Sequence, residues 1–124
     1  MGCTSHKLII GCALLLGFLL TPGLCAMAAE GTDNAVNVTL SEYKIEMPQT
    51  LKAGLTTFTV MNTGSKKHTL EIKGNGVDEK LKSDLKQGES GTMQVELKPG
   101  IYKASCPVGD HEHKGMTLEI KVTP

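Results

Sequence analysis

The chain has 124 residues, 40% of them hydrophobic, and carries thirteen basic and thirteen acidic side chains. That neutral balance, with no arginine, excludes the strongly basic face that nucleic-acid partners require. The length suits one domain built around one core and excludes two.

The first 28 residues read as an export signal. A short polar start with Lys7 precedes an apolar run from Leu8 to Leu20, the breakers Pro22 and Gly23, and small residues around Ala26-Met27-Ala28, which places cleavage after Ala28. The run spans thirteen residues, short for the ~20 a transmembrane helix needs. Ile9-Ile10-Gly11-Cys12 and Pro22-Gly23-Leu24-Cys25 match a lipoprotein box poorly, and His6 breaks the myristoylation pattern that starts at Gly2. The expected location is therefore periplasmic or extracellular, free or held at a membrane surface, without stable insertion. Residues 29–34 read as a flexible lead-in and residues 35–124 as the folded domain. Cleavage removes Cys3, Cys12 and Cys25 and leaves Cys106 with no partner for an internal disulfide. A lone thiol in an oxidising compartment needs protection, which a bound metal provides; the plainer reading is a small buried apolar residue.

Period-two alternation marks strands along the rest of the chain. Val36, Val38 and Leu40 alternate with polar residues, as do Phe58 with Val60, Leu70 with Ile72, Met93 with Val95 and Leu97, and Leu118 with Ile120 and Val122. Ile45 and its flanks form a further candidate before Pro48, and a strand from Gly100 to Cys106 is entered through the turn Pro99-Gly100. Val77, Leu81 and Leu85 fall at i, i+4 and i+8, which predicts one short helix; the competing reading is a charged loop. Seven or so strands with one wet face each predict an all-β protein, a Greek-key β-sandwich.

Near the C-terminus, CPVGDHEHKGM sets a thiolate, an imidazole and a thioether at short intervals. Alternation puts Tyr102, Ala104 and Cys106 on one face of their strand, with Cys106 at its end. The turn Pro107-Val108-Gly109-Asp110 brings His111 back over that end, and a second turn through Lys114-Gly115 places Met116 at the start of the last strand. A fourth donor has to come from another loop, and His68, just after the turn Asn62-Thr63-Gly64-Ser65, is the natural candidate. A thiolate, two imidazoles and a weak thioether suit copper in both of its common oxidation states. Zinc accepts Cys and His, gains little from a thioether and does not change oxidation state.

The stretch PGIYKASCPVGDHEHKGMTLEIKV resembles the C-terminal signature of the blue copper proteins, the cupredoxins, with Gly-x-Tyr before the cysteine and then C-x4-H-x4-M. Upstream, NTGSKKHTLEI is similar to their first-histidine loop, and the 38-residue separation of His68 and Cys106 is that of the smaller plastocyanin-, amicyanin- and pseudoazurin-like members. The resemblance implies one type I copper per chain, held by His68, Cys106, His111 and Met116, in a single-domain electron carrier that is not an enzyme. It implies redox proteins as donor and acceptor, and a monomer is expected. Three departures stand out: Thr69 where many members have an asparagine tying the ligand loops, Pro107 directly after the cysteine, and a domain whose only aromatic residues are Tyr43, Phe58 and Tyr102.

His113 competes with His111, since it gives an H-x2-M spacing used by some short-loop relatives. Met47, Met61 and Met93 read as core gap-fillers, and Lys66, Lys67 and Lys114 flank the site as a mildly basic surface, offset locally by Asp110 and Glu112. The same donor set would also serve copper storage, sensing or delivery, and a structural sandwich with a vestigial site is the third functional class.

Overall fold

The computed structural model describes residues 33–124; the proposed export signal and most of the lead-in lie outside the described residues. Nine strands follow in chain order: β1 (Asn34–Ser41), β2 (Lys44–Glu46), β3 (Thr50–Lys52), β4 (Gly54–Asn62), β5 (Glu71–Gly74), β6 (Val77–Lys80), β7 (Ser90–Leu97), β8 (Gly100–Ser105) and β9 (Thr117–Thr123). They form a four-stranded sheet ordered β2-β1-β4-β7 and a five-stranded sheet ordered β3-β9-β8-β5-β6. The chain changes sheet at most of its connections, as a Greek-key sandwich requires. Both sheets are mixed, because β1 pairs parallel with β4 and β3 parallel with β9.

Alternation explains the packing. Val36, Val38 and Leu40 of β1, Phe58 and Val60 of β4, Ile72 of β5, Tyr102 and Ala104 of β8, and Ile120 and Val122 of β9 all turn inward and are buried. Each fully buried aliphatic or aromatic side chain contributes roughly 1.5–3 kcal/mol relative to exposure, so this shared layer holds the sheets together. The Tyr102 hydroxyl accepts the Lys98 N–H at 3.0 Å and donates to the Lys98 carbonyl at 2.9 Å, which fastens the Pro99-Gly100 turn to the core.

The segment expected to be helical is not, and no helix occurs among the described residues. Residues 77–80 instead form β6, antiparallel to β5 with Gly74 opposite Val77. Asn75 and Gly76 make the two-residue turn with φ of 49° and 82°. Asn-Gly with both residues left-handed is the turn whose twist matches a hairpin, and it commits the following residues to a strand. Leu81 and Leu85 are buried, as an apolar stripe should be, but they reach the core from an extended loop: the Leu81 N–H bonds the Leu70 carbonyl at 3.0 Å.

Two further differences are local. β1 begins at Asn34, one residue inside the predicted lead-in. Met61 is 48% exposed and is no core gap-filler, because it alternates out of phase with Val60 and Asn62; Met47 and Met93 do pack on the core.

Candidate metal centre

At one end of the sandwich His68, Cys106 and His111 converge, with Met116 tied through its backbone to the latter two, and all four are buried. Cys106 follows the last residue of β8, where the inward register of Tyr102 and Ala104 carries its side chain into the interior. Its backbone N–H bonds the Met116 carbonyl at 3.1 Å, and the Met116 N–H bonds the His111 carbonyl at 3.1 Å. These two bonds close residues 106–116 into a loop. Within it the His111 N–H reaches the Val108 carbonyl at 3.1 Å, and Gly109 and Gly115 take φ of 54° and 98°, values a side chain resists.

His68 comes from the other side. An isolated bridge pairs it with Leu85, with His68 N–H to Leu85 carbonyl at 3.0 Å and the reverse bond at 2.8 Å. It therefore stands ahead of β5, which begins three residues later at Glu71. The Cys106 Sγ lies 3.9 Å from Nδ1 of His68 and 3.7 Å from Nδ1 of His111, and the three donor atoms fall within 4.8 Å of one another. His113 is exposed on the outside of the same loop.

These separations provide a direct test of fit. Metal–sulfur and metal–nitrogen bonds of about 2.3 and 2.05 Å, opened to between 109° and 120°, put sulfur and nitrogen roughly 3.5–3.8 Å apart. The observed pairs lie at or just beyond that range, so the residues present fit a single soft metal ion. Protonation also favours binding. Burial, followed by the nearby His111, pushes the His68 pKa below its ordinary 6.5 and holds the ring neutral, as a ligand must be. Nε2 of His68 and Oγ1 of Thr69 are buried without a protein partner.

The Thr69 N–H donates to the Cys106 Sγ at 3.4 Å. This bond links the two ligand loops and depends on the backbone alone, so it survives both Thr69 in place of asparagine and the imino nitrogen of Pro107. A second anchor lies at Asn62, fully buried at the end of β4. Its Nδ2 donates to the carbonyls of Lys66 at 2.7 Å and Leu85 at 2.8 Å, and its Oδ1 accepts the Gly64 N–H at 2.9 Å. The 62–68 turn is thereby fastened to the strand partner of His68. Sequence reasoning missed this residue, although its signal was present: Asn62 continues the inward series Thr56, Phe58, Val60, where a polar side chain needs buried partners.

Glu42 latches the same turn from outside. Its Oε1 accepts the Ser65 N–H, the Ser65 hydroxyl at 2.8 Å and the Lys66 N–H at 3.3 Å. Gly64 leaves the room for this, since a Cβ there would stand 2.9 Å from that oxygen. The Ser65 hydroxyl first, then the Ser65 N–H, lower the Glu42 pKa from 4.5 to about 2. The folded carboxyl therefore titrates below the unfolded one, and the latch contributes fully above pH 4.5 and fades as pH falls toward 2. In urea unfolding of the metal-free protein, the stability gap between wild type and Glu42→Gln should close across that window; a gap unchanged down to the acid limit would refute the latch.

Of the flanking lysines, Lys66 and Lys67 are exposed, whereas Lys114 pairs with Asp110 at 3.3 Å. Lys103 pairs with Glu112, so this loop's acids are matched by cations.

A two-sheet Greek-key sandwich with a buried His-Cys-His-Met group at one end defines the blue copper class of architecture. The profile of the cupredoxin-like domain matches residues 12–118, and the chain belongs to that family. The match begins inside the proposed export signal. No curated protein sequence matches the chain significantly. Among solved structures, the fold is similar to dithionite-reduced auracyanin from Roseiflexus castenholzii, at 17% identity and TM-score 0.63 over 74% of this chain and 98% of that one. Rusticyanin from Thiobacillus ferrooxidans follows at 16% identity and TM-score 0.56, over 73% of this chain and 78% of that one. A multi-copper oxidase from Pediococcus acidilactici shares the fold at 16% identity and TM-score 0.59, over 80% of this chain but 28% of the oxidase.

Proposed function

We propose that the protein is an exported electron carrier, a monomer that binds one type I copper ion through His68, Cys106, His111 and Met116 and passes single electrons between redox proteins. The observation that carries this reading is the convergence of three buried donors, from two loops, at separations of 3.7 and 3.9 Å that one metal ion spans. When bound, copper supplies a one-electron couple. The chain's own residues supply rigidity: the Cys106–Met116 and Met116–His111 backbone bonds fix one loop, and Asn62 with the His68–Leu85 bridge fixes the other. A donor set held this firmly favours electron transfer, because little has to move when the charge on the metal changes. Four protein donors leave no open position of the kind a catalytic metal needs, which supports a carrier over an enzyme. Burial of all four favours slow exchange, which supports a carrier over storage or delivery. Export agrees with a single buried thiol, Cys106, among the described residues, and no helix long and apolar enough to cross a membrane occurs among them.

Adding Cu(II) to the purified domain should produce an intense visible band that a mild reductant bleaches reversibly. His111→Gln should abolish the band and His113→Gln should leave it nearly intact. A colourless copper mixture would overturn the carrier reading, and the reverse result for the two variants would overturn the assignment of His111.

A further inference from the structure

Tyr43 is the residue on this molecule whose conformation most needs an explanation. It sits in the turn between β1 and β2 with φ of 57°, a left-handed backbone that a tyrosine adopts only when its surroundings hold it there. The two-residue link between the paired Ser41 and Lys44 imposes that turn, and the 106–116 loop packs against the ring it presents. The Tyr43 ring meets the His111 ring edge to face, with centroids 5.3 Å apart and planes at 79°. The Lys114 ammonium also stands 4.9 Å from the Tyr43 ring centroid and 3.4 Å from its hydroxyl. One aromatic ring from a turn 71 residues away is therefore held by two members of the ligand loop.

The clamp falls where the site is thinnest. His68, Cys106 and Met116 are wholly enclosed, whereas His111 retains 8% exposure. His111 is thus the donor with the shortest way to solvent, and Tyr43 is packed on it. An edge-to-face contact restrains the tilt of an imidazole as well as covering it, and an ammonium over the ring face adds electrostatic attraction that holds the tyrosine in place. Asp110 tethers the same ammonium at 3.3 Å, so the clamp is closed by three residues of the loop it restrains.

We propose that Tyr43 is a positioning residue for the metal centre: held by Lys114, it fixes the orientation of the His111 ring and shields from water the least enclosed of the four donors. This rests on the carrier reading for its electron-transfer consequence, while the restraint on His111 is a property of the metal-free chain.

Three variants test it: Tyr43→Leu removes the ring, Tyr43→Phe keeps the ring and loses the hydroxyl, and Lys114→Gln removes the cation. In metal-free protein, NMR of the histidine rings should show His111 resonances broadened or shifted in Tyr43→Leu, with Tyr43→Phe close to wild type and Lys114→Gln between them. In copper-loaded protein, Tyr43→Leu should change the Cu(II) EPR spectrum and slow electron self-exchange, by up to roughly a hundredfold for a displacement of about 1 Å; Tyr43→Phe should restore both. A Tyr43→Leu protein that is merely less stable, with wild-type ring resonances, EPR spectrum and self-exchange, would overturn the proposal. Should Tyr43→Leu fail to fold, Lys114→Gln decides, because ring resonances identical to wild type in that variant would also overturn it. A wild type that gives no visible band with copper would sink the carrier reading and leave the metal-free ring measurements to judge Tyr43 separately.

Discussion

Cys106→Ala should leave a folded protein that no longer develops the intense visible band with Cu(II). Cys106 is fully buried, so the substitution exchanges a small soft side chain for a smaller apolar one and leaves a void the size of one sulfur atom. A deletion of that size costs about 1 kcal/mol, against the roughly 5–15 kcal/mol by which folded domains are stable. Thr69 N–H loses its sulfur acceptor, which adds about one more. Folding therefore survives, and loss of colour reports the missing thiolate. Metal linkage provides a second readout. A ligand present at a hundred times its dissociation constant raises stability by about 2.7 kcal/mol, which for a domain this small shifts the melting temperature by roughly 10–20 °C. Wild type should show that shift with copper and Cys106→Ala should lose most of it. An unchanged band in the variant would remove Cys106 from the ligand set.

The structure assigns different tasks to the two loops that meet at this thiol. The 106–116 loop is short and closed on itself by backbone bonds through Met116, so its donors move as one body. The 62–68 turn has no such closure and is held from three directions: by Asn62 beneath, by Glu42 outside, and by the Leu85 bridge alongside. Leu85 is itself buried in the core. Apolar packing is thus coupled to the placement of His68 through a residue that shows no metal chemistry.

Strands and donors were legible in the sequence for different reasons. Period-two alternation exposes a strand whenever one face is buried, which is why Val36-Val38-Leu40 and Leu118-Ile120-Val122 could be placed within a residue or two. Leu51 in β3 escaped, because three residues with one apolar centre carry no period; β2, equally short, was marked only by Ile45 standing before Pro48. Val77-Leu81-Leu85 misled for a related reason. Its apolar spacing fits a helix, but Asn75-Gly76 turns the chain back on β5 before a helix can start, and turn chemistry at two positions outweighs a stripe of three. The parallel pairings β1–β4 and β3–β9 were not legible either, since alternation says which face a residue takes and nothing about its neighbour's direction. At the candidate metal centre, His68, Cys106 and His111, which the structure brings together, stand out by type and spacing. Asn62, Glu42 and Tyr43 act through long-range contacts, 23 residues apart for Glu42–Ser65 and for Asn62–Leu85, and short spacing cannot reveal those.

Asn62→Ala should be among the most damaging substitutions in the molecule, and its damage should extend to the metal centre. The side chain makes three hydrogen bonds at 2.7 to 2.9 Å, and removing it strips partners from the carbonyls of Lys66 and Leu85 and from the N–H of Gly64. At about 1 kcal/mol for each lost bond, the destabilisation is roughly 3 kcal/mol, or a fall in melting temperature of about 12–24 °C for a domain of this size. Leu51→Ala is the matching control. Leu51 is buried in β3 opposite Val122, at the end of β9 remote from Met116, and its truncation costs a similar 2–5 kcal/mol with no connection to either ligand loop. Both variants should melt early, but the copper spectrum should change only in Asn62→Ala, because only there is the strand partner of His68 set loose. Asn62→Asp sharpens the comparison. It keeps the acceptor for the Gly64 N–H and turns a carboxylate toward two carbonyl oxygens, so it should be no more stable than the alanine variant. Equal loss of stability in Asn62→Ala and Leu51→Ala with an unperturbed spectrum in both would reduce Asn62 to a core residue that happens to be polar.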